Sequence, residues 1–596
     1  MKNKTSEQKR VHTVRRVLSL VQGMQGKELA LCLLCLVTAG LTILEPVILS
    51  DLVNAASSSA LSGKMYLILL AILVFLARAG LSFLKKSRVL KLRNEYVRRI
   101  CDALTSHILH EKISEFQKVT PAYHMSRVLD EVSNIDGVLP CYLLDGGISL
   151  LICLVLFGLA LYENWLVGLL IILFVIADYY ISFRLPMTKV YKRYSEVSAR
   201  TKSELTNTLE GTVLIKMGES YEREETRSDH KLKEFLEAGY QKNYFTQMMR
   251  LSGTMCRQFG YILTIVVSAF MMYRQRMSVG QFTFVLTLYN LIWSNAVSAE
   301  NMIPLYKYGK ATCDRICEIL DTETETAEVV GTTTEERTGT TKSEMKAETA
   351  SLQTLDCQNL EFSYDDTRTI LNGVSLKANR GEVISLAGYS GCGKSTVLDL
   401  LLGFYDRDGG VVSMNGREVS TADLVALRPR IGYVGQNDFM FNRPVLENVL
   451  YYVEDTPQNR EKMNRYLEEL ELTAIIDALP NGINTVMGEN SADVSGGEKQ
   501  RLCIVRELMK DPELLILDEF TSHLDPKSEE TVLKMIRRLA PNMMVIQAAH
   551  RVTALSMSDR IYVLENGRNV CEGTHEELLK NSEYYQNFLS SIEAEK

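Results

Sequence analysis

The sequence predicts a chain of two parts, a helical six-span transmembrane domain followed by an α/β domain built around a phosphate-binding loop. Three observations carry that expectation. Six apolar runs lie before residue 305 and none after it, each of about twenty residues and so long enough to cross a bilayer. Residues 322–350 are rich in Thr and Glu with almost nothing to bury, as in a solvated linker. From residue 352 onward short β-branched runs alternate with amphipathic helical stretches, the pattern of a parallel or mixed sheet wrapped by helices. The boundaries follow as 1–320 for the membrane part with its helical extensions, 321–350 for the linker and 351–596 for the α/β part.

Bulk composition hides this division. Over 596 residues, 46% hydrophobic and 23% charged content looks ordinary because an apolar half and a polar half are averaged. A net charge of -7 offers no broad cationic field, which argues against a nucleic-acid partner. Twelve cysteines without framework spacing indicate reduced thiols rather than a disulfide scaffold. Cys32 and Cys35 form a CxxC, but inside an apolar helix with no second pair and no His nearby, so no metal is assigned to them.

The apolar runs fall at 29–49, 65–84, 142–162, 165–183, 256–273 and 282–304. Basic residues set their direction. Lys2, Lys4, Lys9, Arg10, Arg15, Arg16 and Lys27 precede the first run, whereas Lys64 alone precedes the second, which places the N-terminus in the cytoplasm. Lys85, Lys86, Arg88, Lys91 and Arg93 after the second run and Arg184, Lys189, Lys192 and Arg193 after the fourth agree, while Arg274 and Arg276 dissent. No small-residue cleavage site follows the first run, so it is expected to stay as a span. The charged, helix-favouring segments 85–141 and 184–250 are expected to carry the spans well into the cytoplasm. Glu45, Arg78, Asp145, Asp178 and Glu300 lie in or beside the spans and are candidate cargo contacts, with snorkelling or pairing as the simpler alternative.

The second half holds the chemistry. A strand, EVISLAG, runs into Gly388-Tyr389-Ser390-Gly391-Cys392-Gly393-Lys394-Ser395-Thr396 and then the helix VLDLLLG, the context a phosphate loop needs for ATP. Glycines let backbone amides close around phosphate oxygens at a helix N-terminus, with Lys394 supplying a point charge and Ser395 a hydroxyl for Mg2+. The strand Leu514-Leu515-Ile516-Leu517 ends in Asp518-Glu519; Asp518 is expected to support Mg2+ and Glu519 to orient the attacking water. Between them Val494-Ser495-Gly496-Gly497-Glu498-Lys499-Gln500-Arg501 opens a second helix able to meet a phosphate. Cys392, beside Lys394 at a helix start, is expected to favour its thiolate provided solvent can reach it.

With these residues in place the sequence resembles the ABC transporter family, whose signature here reads VSGGEKQR. The resemblance implies the type I exporter fold and a half-transporter that needs a second half, identical or different. Ser495, Gly496 and Gly497 of one subunit would cover the ATP held by the loop of the other. It further implies that Tyr364 in EFSYDD stacks on adenine, that Gln436 links Mg2+ to the membrane domain, that His550 in AAHR senses the γ-phosphate, and that Asp525 in SHLD communicates between sites. Read singly, Tyr364 is as well a core residue, Gln436 a surface amide and His550 a satisfied core histidine. Glu498 replaces the usual signature Gln, His523 stands where Ala is common, and Pro444 where Ser or Thr is usual. The membrane half is similar through LEPVILSDLV, SRVLDEV and SELTNTLEGTVLIKMGESYERE, which implies short docking helices near 118–125 and 208–216, the latter on the partner. The expected function is ATP-driven export of an amphipathic small molecule, lipid or peptide by alternating access in a dimer, in a bacterial cell membrane. An importer of a siderophore-like compound and a nucleotide-gated channel or sensor are the alternatives.

Overall fold

The computed structural model describes residues 13–594 apart from 22, 58–64, 326–350, 365–367, 437–438 and 488–493. The chain divides into two units. One runs to residue 109 and resumes from 120 to 322; the other holds residues 110–119 and everything from 323 onward.

In the first unit each expected run falls on one helix: Gln25–Ser57, Tyr66–Leu109, Pro140–Glu163, Trp165–Arg184, Tyr221–Tyr273 and Val279–Leu320. Five of them are long and apolar enough to cross a membrane. The sixth interrupts its apolar stretch with Asn290, Ser294, Asn295 and Ser298. Asn290, Asn295 and Ser298 donate back to the carbonyls of Leu286, Leu291 and Ser294, which keeps those polar groups satisfied within the helix. Its other side buries Leu288, Tyr289, Ile292 and Trp293 in the bundle core.

Local chemistry sets the ends of these helices. Asn164 accepts from the amides of Leu166 and Val167, so the fourth helix starts with a single residue between it and the end of the third. A Cβ on Gly168 would lie 2.8 Å from the Leu161 nitrogen, so that close return requires glycine. Ser278 and Gln281 form a capping box on the sixth helix. The helices also run far beyond the bilayer: Tyr221–Tyr273 has 53 residues, about 80 Å at 1.5 Å each. Its first part lies beside Met187–Glu210, where Tyr194 stacks on Phe235 at 5.7 Å and the Lys242 ammonium sits 4.1 Å from the Tyr194 ring.

Two of the candidate intramembrane acids are paired inside the bundle, Glu45 with Arg78 and Asp145 with Lys85 at 2.8 Å. That favours the pairing alternative over cargo contact for both. Asp178 is buried against Gly253 of the fifth helix, whose missing side chain leaves it room.

The second unit contains β1 (Thr354–Ser363), β2 (Thr369–Asn379), β3 (Val383–Ala387), β4 (Gly409–Met414), β5 (Arg417–Glu418), β6 (Ile431–Val434), β7 (Arg443–Pro444), β8 (Val486–Met487), β9 (Leu514–Asp518), β10 (Met544–Ala548), β11 (Arg560–Glu565) and β12 (Arg568–Gly573). An antiparallel sheet has the order β2-β1-β4-β5, and a larger mixed sheet the order β12-β11-β3-β10-β9-β6. Strands β3, β9 and β10 are buried throughout because both faces are covered. Ile384, Leu386, Ile516 and Ile546 pack toward β1 and β2, whereas Leu515, Leu517 and Val545 pack toward the helices of the other face. Parallel pairing of β3, β10 and β9 carries the loops after β3 and β9 to the same strand ends.

Residues 110–119 belong to this unit. Lys112 donates to the Glu323 carbonyl (3.0 Å) and Glu325 to that of His110 (2.8 Å). After the short helix Ile113–Phe116, Gln117 accepts from the Tyr405 hydroxyl at 2.5 Å. This segment overlaps the expected docking stretch 118–125 at its first two residues. Thr120 and Pro121 begin a separate helix, Pro121–Ser126, which groups with the other unit. Of the expected linker, 323–325 is thus structured, with Glu325 also held by Arg428 at 2.8 Å; residues 326–350 lie outside the described residues.

Candidate functional site

The loop after β3 is shaped by its glycines. Gly388, Gly391 and Gly393 have φ of 143°, 78° and 107°, which side chains resist. A Cβ on Gly388 would lie 2.2 Å from the Leu564 carbonyl oxygen and one on Gly393 2.6 Å from a Leu371 methyl. Behind the loop, the Gly567 amide donates to the Cys392 carbonyl at 3.2 Å. Gly393 is the N-cap of Lys394–Leu401, so free helix amides face the loop's interior. Lys394 is buried, its ammonium donating to the carbonyls of Gly388 (2.9 Å) and Tyr389 (3.2 Å). Ser390 and Gly391 remain exposed.

Ser395 and Asp518, expected together, are together: the Ser395 hydroxyl donates to Asp518 Oδ1 at 3.1 Å. Burial pushes the Asp518 carboxyl above its usual range, and the Ser395 bond opposes that. Thr396, next on the helix, shares a hydrogen bond with the Tyr364 hydroxyl at 3.2 Å. The Tyr364 ring meets Phe362 and Tyr405 edge-on at 4.8 and 5.1 Å and is half exposed.

Glu519 stands at the end of β9 with φ of 50°, an uncommon value for a residue with a side chain. Its two oxygens are held from two different loops. Gln436 donates its amide to Oε2 at 3.0 Å, and His550 Nε2 lies 2.8 Å from Oε1. Two residues far apart in sequence thus converge on one carboxylate.

Ser495 caps the helix Gly496–Leu508 and forms a capping box with Glu498: the Ser495 amide donates to Glu498 at 2.7 Å and the Glu498 amide to Ser495 Oγ at 3.4 Å. Glu498 in place of glutamine therefore has a local role. A Cβ on Gly497 would lie 2.8 Å from the His523 carbonyl, so the helix start packs on the backbone of the SHLD segment. Asp525 accepts from the amides of Lys527 (3.0 Å) and Ser528 (3.1 Å) as N-cap of Pro526–Leu539. The Ser528 side chain and these amides hold its carboxyl below the usual range.

One residue departs from expectation and another, Asp399, was not among the expected site residues. Cys392 is buried, and burial pushes its thiol up more than the Lys394 ammonium, with its nitrogen 3.9 Å away, and the local amides pull it down. The expected thiolate is not favoured. Asp399 escaped notice because a single carboxylate in VLDLLLG looks like a solvated helix position. Burial pushes it up to about 6, with the Asp518 charge adding and a hydrogen bond with Tyr364 opposing. Its spacing of four from Ser395, on the same helix face, was the available signal.

Comparison with known proteins finds matches to both parts of the chain. The profile of the ABC transporter family matches residues 371–522, and that of the ABC transporter transmembrane region residues 29–297. The ATP-dependent lipid A-core flippase of Syntrophus aciditrophicus (strain SB) is 27% identical over 97% of this chain and 94% of its own length. The mitochondrial iron-sulfur clusters transporter ATM1 of Debaryomyces hansenii is 38% identical, over 38% of this chain and 32% of its own. A solved structure described as a bacterial Atm1-family ABC exporter with ATP bound superposes with a TM-score of 0.80, at 21% identity, over 95% of this chain and 98% of that one. The chain belongs to the ABC transporter family, as an exporter-type half-transporter with one transmembrane and one ATP-binding domain. It is an integral membrane protein whose ATPase activity is coupled to export, and import is not favoured.

Proposed function

We propose that this half-transporter pairs with a second copy in a bacterial cell membrane, N-terminus and ATPase domain in the cytoplasm, and exports an amphipathic small molecule, lipid or peptide. The name of the flippase relative makes a lipid the first cargo to try. The observation that carries an ATP-hydrolysing reading is the carboxylate of Glu519, held between Gln436 and His550. In this reading Glu519 accepts the proton of the attacking water, and the two flanking side chains fix which oxygen faces it. Lys394, leaving the carbonyls of its own loop, takes a phosphate oxygen, and the exposed face of Tyr364 takes adenine. Ser395, Asp518 and Gln436 offer the hard oxygen donors that suit Mg2+, which when bound would neutralise phosphate charge. Ser390, Thr396 and the amides of Gly391 and Gly393 complete the cradle, and Cys392, whose amide donates to the Tyr389 carbonyl, shapes its turn.

The helix that starts at Ser495 is a second phosphate-binding helix start in the same chain, which supports a site shared between two chains. The helix Thr212–Met217 adds a second reason: Val213, Leu214 and Met217 are 74%, 79% and 81% exposed. In the dimer this apolar row would dock on the partner's ATPase domain, where exposed Phe439 and Tyr451 meet Phe441 and exposed Tyr452 meets Tyr451.

The test is uptake of a fluorescent lipid into inverted vesicles with MgATP, alongside ATPase measured in the same membranes. ATP-dependent uptake into inverted vesicles is expected. Uptake only into right-side-out vesicles would overturn export, and ATPase that no cargo stimulates would favour a gating role.

A further inference from the structure

Tyr389 is the second residue of the phosphate loop, and its carbonyl accepts from both the Cys392 amide and the Lys394 ammonium, at 3.2 Å each. The turn of the loop and one of the two carbonyls that hold its lysine therefore belong to Tyr389. The Tyr389 side chain is met edge-on by two rings of the C-terminal helix Glu583–Ala594, Phe588 at 5.4 Å and Tyr584 at 6.2 Å, with interplanar angles of 87° and 83°. Such perpendicular contacts bring the positive edge of one ring to the negative face of another.

That helix is itself anchored. Phe588 and Tyr585 are buried, and the Tyr585 hydroxyl lies 2.8 Å from His575 Nδ1 on the preceding helix His575–Asn581. The Tyr584 hydroxyl is buried without a hydrogen-bond partner among the described residues, an arrangement its ring contacts have to offset. The loop is thus pinned behind by Gly567 of the β11–β12 turn and at the side by two aromatic rings, more than 190 residues further along the chain.

We propose that Phe588 and Tyr584 are positioning residues for ATP binding: the C-terminal helix clamps Tyr389, and the clamp holds the loop in its phosphate-binding shape. The inference rests on ATP binding at this loop and adds a remote element that sets its affinity.

The experiment uses the full-length chain in lipid nanodiscs, with binding of trinitrophenyl-ATP in EDTA, steady-state MgATP hydrolysis and nucleotide-free melting measured in parallel. Tyr389→Ala and Phe588→Leu are each expected to weaken probe binding and raise KM for ATP roughly two- to tenfold, the scale of a lost edge-to-face pair, with kcat changing much less. Phe588→Leu retains an apolar side chain in the core, and Tyr389→Phe, which retains the ring, is expected to restore binding. The double variant should bind no more weakly than Tyr389→Ala alone, because the second change removes a contact already lost. Unchanged affinity with lowered melting, or losses that multiply in the double variant, would overturn the clamp. A parent chain that fails to bind the probe would instead remove the ATP reading of the loop.

Discussion

At the scale of single residues, Glu519 concentrates the chemistry. Glu519→Gln keeps the shape and the Gln436 contact but removes the base, so hydrolysis should fall by about a hundredfold or more while ATP binding persists. Phosphate release together with nucleotide binding would measure both, and a loss of binding equal to the loss of turnover would return Glu519 to a structural role. Cys392 shows how context reverses a local rule. A helix start and a neighbouring ammonium favour a thiolate, yet burial outweighs them. With its thiol above the ordinary range, Cys392 should react with a maleimide at pH 7 more slowly than a cysteine in an unfolded peptide, and the rate should climb as pH rises past that peptide's own titration. Mass spectrometry of the labelled peptide provides the check, and labelling as fast as the peptide would show the thiol to be open and activated.

At the scale of elements, helix starts and strand ends do two jobs each. Ser495 caps its own helix and, in the proposed dimer, faces the partner's phosphate. Ser495→Ala should therefore lower stability by about 1 kcal/mol and reduce turnover. Ser495→Asp separates the jobs, since aspartate caps equally well but sets a negative charge where phosphate would approach. Its melting temperature should stay near the parent's while ATPase collapses; intact ATPase would confine Ser495 to capping. The docked segment 110–119 teaches a related lesson. Its helix is only four residues long, too short for any periodicity, so its place came from partners such as Tyr405 and Glu323 rather than from its own pattern.

At the scale of the whole molecule, a phosphate loop and a signature helix in one chain are the two halves of different sites if the transporter is a dimer. Lys394→Ala and Ser495→Asp chains should each be inactive alone. Co-expressed as a homodimer-forming pair, they should recover up to about a quarter of parent ATPase, because half of random dimers are mixed and each mixed dimer keeps one intact site. No recovery would mean that each chain completes its own site.

Much of this was readable in advance, for definite reasons. Apolar runs must match bilayer thickness, so the helices at Trp165–Arg184 and Tyr221–Tyr273 announce themselves. A phosphate loop needs glycines at fixed spacing, so Gly388, Gly391 and Gly393 do too. The sixth helix was also visible as an apolar run, although its asparagines and serines interrupt that run and it is not among the five apolar enough to cross a membrane. What the chain's order could not express was convergence. The approach of Gln436 and His550 to Glu519, the burial that lifts Cys392 and Asp399, and the hold of Phe588 on Tyr389 join residues tens to hundreds of positions apart. Spacing along a chain reports only the periods of helices and strands; distances across a sheet and the dielectric around a buried group arise only once β3, β9, β10 and the C-terminal helix have packed, and that packing decided them.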